Sequence, residues 1–434
     1  MPRRLRISRP RTSADCWKQN LRTRQMRLTR NLLALAFSTL LAGCSAFGWL
    51  PWVDDEEEKE KKEELEPMEL ERIDATVDLK TEWSEKIGDG MGRKYLRLRP
   101  VIAADRIFAA DGYGVVEALD RFTGDQIWET EIGEVKRSWN PLDRRDPSFV
   151  SGAVGYAHGM VLTGTTGGQV VALDAADGRE VWRVSVGAEV LAPPSGGLDL
   201  VFVHTEDGRL LALEKGSGAV RWSYENPVPI LMLRGSSMPV FSNGVVYAGF
   251  ANGMVAAVRA ETGEPVWDHL VMLPEGRSEL ERMVDVDASP AVAGPLVFAV
   301  AYQGRLKALR TQNGMPVWEQ EVSSFLDLAV DANKLVAVDS QDAVLAFNPQ
   351  NSSSLWKQEG LLRRELAPPA LIGDNVLVAD IEGYVHVLAG DDGRFIGRRK
   401  IDGDGIRAPI LIAEDFIYVL GNSGKLVALK LEPR

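Results

Sequence analysis

The chain has 434 residues but only two cysteines, Cys16 and Cys44, and four histidines, His158, His204, His269 and His386. With no cysteine after position 44, neither a disulfide framework nor a cysteine-ligated metal or redox centre can sit in the main body. The histidines lie one per segment, with no metal-ligand spacing among them. A nucleophile elbow and a phosphate-binding glycine loop are both missing, and no carboxylate pair stands out from the many acids. Catalysis has no visible home. The chain is expected not to be an enzyme and to carry no cofactor or metal.

Basic charge is also scarce beyond the front end. Residues 1–43 hold ten basic residues and one acid; without them, 40 Lys and Arg face 61 Asp and Glu, a net charge near −21. Phosphate binding needs clustered cations, so nucleic acid is excluded as a partner, and a broad electrostatic patch on anionic lipid is disfavoured.

The front end has the order of a bacterial export signal. Met26-Arg27-Leu28-Thr29-Arg30-Asn31 precedes an apolar run, Leu32 to Leu41, too short to span a bilayer. Leu41-Ala42-Gly43-Cys44 then resembles a bacterial lipobox, which implies cleavage before Cys44 and acylation of its sulfur. Several acyl chains anchor a protein where one does not. Ser45 in place of Asp resembles lipoproteins sent on to the outer membrane, so the expected location is that membrane's periplasmic face. An ordinary secretory signal containing a cysteine is the competing reading. Residues 1–25, with eight Arg or Lys and one Asp, fit neither and are read as a mis-assigned start upstream of Met26. The acidic stretch "DDEEEKEKKEELEPMELE" (54–71) has too few apolar residues to order itself, and residues 44–75 are expected to be a lipidated, flexible tether. A short charged helix is the alternative for that stretch.

From about residue 76 the chain repeats. "GGQVVALDAADGREVW", "DGRLLALEKGSGAVRW", "NGMVAAVRAETGEPVW", "QGRLKALRTQNGMPVW" and "YGVVEALDRFTGDQIW" each place a glycine fourteen residues before a tryptophan: Gly114/Trp128, Gly168/Trp182, Gly208/Trp222, Gly253/Trp267, Gly304/Trp318. Asp342/Trp356 and Gly383/Gly397 are degenerate copies; Gly424 begins an eighth unit that has no tryptophan after it. Trp83 near the start has the context of the missing half. Units recur every 38 to 54 residues with about four short strands each, alternating patterns and Gly, Asp or Asn turns. No helical periodicity competes over a comparable length. The expected fold is all-β: one domain, residues 76–434, an eight-bladed propeller of four-stranded antiparallel blades, its ring closed by pairing of the N-terminal strand with the C-terminal blade. An open ring would leave unpaired edges. Tryptophans at fixed spacing are read as inter-blade packing.

The "TGxxxW" ends at Thr123-Gly124 and Thr262-Gly263 resemble the tryptophan-docking repeats of quinoprotein alcohol dehydrogenases, eight-bladed propellers that hold a quinone against a vicinal disulfide with calcium. That disulfide has no counterpart here. Lipobox, acidic tether and cysteine-free propeller together resemble the BamB family, lipoproteins of the outer-membrane β-barrel assembly machinery. Two stretches add to the match. "PILMLRGSSMPV" resembles the family's Leu-x-Leu-Arg-Gly loop, at Leu231, Leu233 and Arg234; "ERMVDVDASPAV" resembles its Asp-Val-Asp loop, at Asp285 and Asp287. The resemblance implies that these five residues contact BamA through its POTRA domains.

On the residues' own terms, both loops precede a proline that opens the next blade, Pro239 and Pro290, so they project side by side from one rim. Exposed leucines beside an Arg and two acids make an apolar anchor with polar partners. The competing reading has packed leucines and an Arg234 that pairs with Asp285 or Asp287 within the protein. Three functions follow: a non-catalytic scaffold that binds BamA, with unfolded outer-membrane proteins as further partners at strand edges; a quinoprotein dehydrogenase or ligand-binding remnant; and an extracytoplasmic sensor domain.

Overall fold

A computed structural model describes residues 66–92, 98–133 and 146–434. The expected signal region 1–43, Cys44 and the tether up to residue 65 lie outside the described residues. Among the described residues there is no helix; thirty-two strands form eight four-stranded antiparallel sheets. In chain order, blade 1 spans residues 101–131, blade 2 150–185, blade 3 195–225, blade 4 240–270, blade 5 291–320, blade 6 329–358 and blade 7 370–400. Blade 8 joins the two half-units: Leu411–Ala413, Phe416–Leu420 and Lys425–Pro433 are followed in the sheet by Val77–Lys86, paired antiparallel from Val77 with Pro433 to Lys86 with Lys425, with one register slip between Thr81 and Trp83. The first strands of blades 1 to 8 pack in sequence around the middle, and blade 8 meets blade 1 through Tyr418, whose hydroxyl donates to the Arg121 carbonyl. This is the closed eight-bladed propeller expected from the repeat.

Blade 4 illustrates why the sequence folds this way. Its strands are Val240–Ser242, Val245–Gly249, Met254–Arg259 and Pro265–Leu270. The second and third are buried along most of their length, because both faces of a blade meet a neighbouring blade, and they read as near-continuous Val and Ala. The outer strand buries only Trp267 fully, so its other positions are polar or lightly covered. A register slip precedes that tryptophan and sets it opposite Ala257, whose small side chain leaves room for the indole.

The same slip and the same Ala-Trp pairing recur in six other blades: Ala118/Trp128, Ala172/Trp182, Ala212/Trp222, Ala308/Trp318, Ala346/Trp356 and, across the chain termini, Ala428/Trp83. Each indole then crosses to the next blade. Trp83 donates to the Arg121 carbonyl, Trp128 to Ala175, Trp182 to Lys215, Trp222 to Ala260, Trp267 to Thr311, Trp318 to Pro349 and Trp356 to Gly390, at 2.7–3.1 Å. In six of these seams the ring lies on a turn glycine; an added Cβ on Gly263 would sit 2.7 Å from the Trp222 ring.

Blade 7 breaks the pattern in a compensated way. Val387 replaces the alanine and Gly397 the tryptophan, and the space beside Gly397 is taken by Val77 of the closing strand. The unit that looks eroded in sequence has made way for ring closure.

Candidate functional site

The connections from each outer strand to the next first strand crowd one rim around the axis. There they line a central cavity of about 70 Å3, to which every blade or its entering loop contributes, among them Arg99, Ser151, Pro193, Arg234, Asp287, Asp327, Pro368 and Pro409. Arg99 reaches across the axis to Asp327, with Nη1 3.4 Å from Oδ2. Asp327 Oδ1 accepts from the Ser289 backbone, and Ser289 Oγ accepts from the Met238 backbone. A polar cross-brace therefore closes the middle.

On this rim the blade 3–4 and blade 4–5 connections carry the sequence-predicted residues, and the structure brings the two loops into contact. The backbone N–H of Leu233 donates to Asp285 Oδ2 at 3.1 Å. Gly235 lies flat against the Asp287 carboxylate, so close that a Cβ there would fall 2.4 Å from Oδ2. The far end of the loop is tied by His204, whose Nδ1 is 3.0 Å from the Ser237 carbonyl, and by Ser237 Oγ, which accepts from the Gly249 backbone. Burial pushes the His204 pKa below the ordinary value, against the opposing pull of the Ser237 carbonyl, and favours a neutral ring that donates through Nδ1–H. One of the four scattered histidines of the sequence, His204, is thus the pin of this loop.

The five predicted residues divide by exposure. Leu231 is exposed, next to Ile230, which at 94% is the most exposed of the large apolar side chains among the described residues. Arg234 is exposed, and Leu233 is half-buried rather than open. Asp285 and Asp287 are buried, at 1% and 6%. Burial, then the charge of Asp287, push Asp285 up to about 8, against the opposing hydrogen bonds of the Leu233 and Val286 backbones. Its buried site thus favours the protonated, neutral form of Asp285 over the carboxylate. The expectation of two acids on the surface is corrected on this point: they stand behind the loop and shape it. Arg234 has an internal partner, though a different one from the residues weighed in sequence. Its Nη2 meets Glu189 Oε1 of the blade 2–3 connection at 2.5 Å. Ile230 and Glu189 were missed; the first lies inside the quoted loop beside Leu231, while nothing in the sequence signals the second.

Among the described residues, no group of three or more His, Cys, Asp or Glu could hold a metal ion. An isoleucine, a leucine and a guanidinium stand exposed on a loop held from below; a patch ordered in advance in this way would carry a lower ordering cost in any association.

A family model described as outer membrane protein assembly factor BamB matches residues 112–358. The outer membrane protein assembly factor BamB of Pseudomonas aeruginosa is 40% identical over 364 residues, covering 84% of this chain and 92% of that protein. The crystal structure of BamB from Moraxella catarrhalis superposes with a TM-score of 0.72 at 26% identity, over 81% of this chain and 99% of that one. The quinohemoprotein alcohol dehydrogenase of Comamonas testosteroni shares the fold alone, with a TM-score of 0.65 at 14% identity over 81% of this chain and 76% of its own.

Proposed function

The chain belongs to the BamB family of outer membrane protein assembly factors, and from that membership we propose that it serves outer-membrane protein assembly as a non-catalytic scaffold. It is tethered at the periplasmic face of the outer membrane by acylated Cys44 and binds the POTRA domains of BamA. Leu231, Leu233 and Arg234 form the contact, with Ile230 beside them; Asp285 and Asp287 hold the loop in its binding shape.

The observation that carries this reading is the two-sided fixation of the loop. Asp285 takes the Leu233 N–H and His204 lies at the Ser237 carbonyl, which fixes the stretch that holds Arg234; Ile230 and Leu231 stand outward just before the first of these ties. Large apolar side chains held in solvent beside an arginine resemble the anchors of protein interfaces. The Arg234–Glu189 pair does not argue for a purely internal role. Arg234 is 40% exposed, and a pair of that kind contributes at most about 1 kcal/mol to folding.

A quinone-binding role fits less well. Cofactor pockets run to roughly 300–1,000 Å3, whereas the axial cavity is about 70 Å3 and is crossed by Arg99 and Asp327.

The test is co-purification from detergent-solubilised outer membrane. BamA should elute with the wild-type chain, and Leu231→Ala and Arg234→Ala should reduce its recovery while the melting temperature stays within a few degrees. Undiminished recovery with both variants, or recovery that falls only in step with folding, would refute the assignment.

A further inference from the structure

Blade 7 contains a buried charged chain that the docking site does not use. Arg364, on the connection from blade 6, is 2% exposed; Asp380 and His386 are fully buried. Arg364 Nε lies 2.8 Å from Asp380 Oδ2, and its Nη2 pairs with the Glu382 carboxylate. Asp380 Oδ2 is also 3.0 Å from His386 Nε2. Arg398, on the outer strand, donates from Nε to His386 Nδ1 at 3.0 Å. His386 is thus a neutral ring between an acceptor and a donor, and burial lowers its pKa.

Most blades do without such a cluster. Positions equivalent to His386 are apolar in blades 2, 3, 4, 6 and 8 (Val171, Leu211, Ala256, Leu345 and Val427) and carry Glu117 and Lys307 in blades 1 and 5. Buried ion pairs are often no more stabilising than apolar packing of the same volume, and their attested use is to fix a register.

Both ends of the chain point at the same object. Arg364 Nη1 donates to the Met68 carbonyl and Arg398 Nη1 to the Glu71 carbonyl, each at 2.8 Å. The Met68 backbone donates to the Leu362 carbonyl, and the Thr76 backbone to the Ile396 carbonyl. Leu70 packs against the blade 6–7 core. Sequence analysis placed Met68, Leu70 and Glu71 in the solvated tether and began the propeller at Thr76.

We propose that blade 7 is a receptor for the chain's own segment 67–76, a strap gripped through its main-chain carbonyls by Arg364 and Arg398, which shortens the free leash of the anchored protein. The consequence for the leash rests on the lipid-anchor reading above. Counted from Cys44, the leash ends at Pro67 instead of Val77, 23 residues on rather than 33. At about 3.4 Å per extended residue the maximal reach falls from roughly 110 to roughly 80 Å. The strap enters at blades 6 and 7, across the eight-membered ring from the blade 3–4 connection, so it leaves the docking loops clear.

The test is hydrogen exchange on the full lipidated chain in phospholipid vesicles, with the distance of a rim-attached fluorophore from a membrane dye measured in parallel. In the wild type, the amides of Met68 and Thr76 should be protected. Leu70→Asp, which alters only the strap, and Arg398→Gln should each speed exchange across 67–76 at least tenfold, leave the melting temperature within a few degrees and increase the fluorophore-to-membrane distance. Unprotected amides in the wild type, or exchange unchanged in both variants, would overturn the strap. Strap exchange that responds at unchanged fluorophore distance would overturn the leash consequence. Mass analysis of Cys44 reports on the anchor separately: a chain without acyl groups would refute the anchor, while the exchange result would still decide the strap.

Discussion

The seam between blades 3 and 4 yields a prediction that separates packing from backbone conformation. Gly263 and Gly244 both hold left-handed backbones, with φ of +77° and +80°. An alanine at Gly244 would meet nothing within 4 Å, whereas one at Gly263 would place its Cβ 2.7 Å from the Trp222 ring. The left-handed conformation costs an L-residue roughly 1–2 kcal/mol, partly offset by about 0.4–1 kcal/mol from a less flexible unfolded chain. Gly244→Ala should therefore destabilise by about 1 kcal/mol. Gly263→Ala adds an overpacking cost of about 1–3 kcal/mol. The indole cannot retreat easily, because its Nε1 is bonded to the Ala260 carbonyl at 2.9 Å. Urea denaturation followed by circular dichroism should give a loss for Gly263→Ala larger by about 1–3 kcal/mol at unchanged slope. In a Trp222→Leu background the excess should vanish, the mark of direct coupling. Equal losses at the two glycines, or an excess that survives removal of the indole, would refute the seam as the reason for this glycine.

Three further outcomes follow. Asp285 has a folded pKa of about 8, above its unfolded value of 3.8, so the native state keeps a proton that the unfolded chain releases; stability from this group is lost as pH rises between those values. Asp285→Asn should thus gain melting temperature relative to wild type from pH 5 to pH 9, and parallel curves would contradict the buried neutral acid. His204 has the opposite sign: its folded pKa lies below 6.5, so its contribution is present above that pH and fades as pH falls. The advantage of wild type over His204→Asn should shrink between pH 7 and pH 5, and a constant gap would count against the pin. Gly397→Trp, which restores the repeat in sequence, should lower the melting temperature because Val77 and Val387 already fill the space, the added Cβ alone meeting the Val77 side chain at 2.9 Å; a rise would mean the position is vacant.

The blade architecture was legible because a fixed Gly-to-Trp spacing spans one hairpin and one outer strand, and a half-unit at each end of the repeat pointed to closure. The partner of each indole was harder to see: the turn glycines stand in plain view, but only the ring shows that each serves the tryptophan of the preceding blade. The adjacency of the blade 3–4 and blade 4–5 loops was legible, since equivalent positions in consecutive blades share a rim. Their acids were misjudged as surface groups because burial of Asp285 and Asp287 comes from the neighbouring loop crossing over them, a long-range effect absent from local composition. The strap was hidden for a similar reason. Residues 67–75 read as solvated, and apart from Leu70 they are held largely through main-chain groups, which leave no trace in side-chain pattern.

Affinity for BamA tests the central claim most directly. Titration of purified BamA with the full detergent-solubilised chain should show that Leu231→Asp combined with Arg234→Ala weakens binding at least tenfold, with the melting temperature of the propeller unchanged. Wild-type affinity in that double variant would contradict the account.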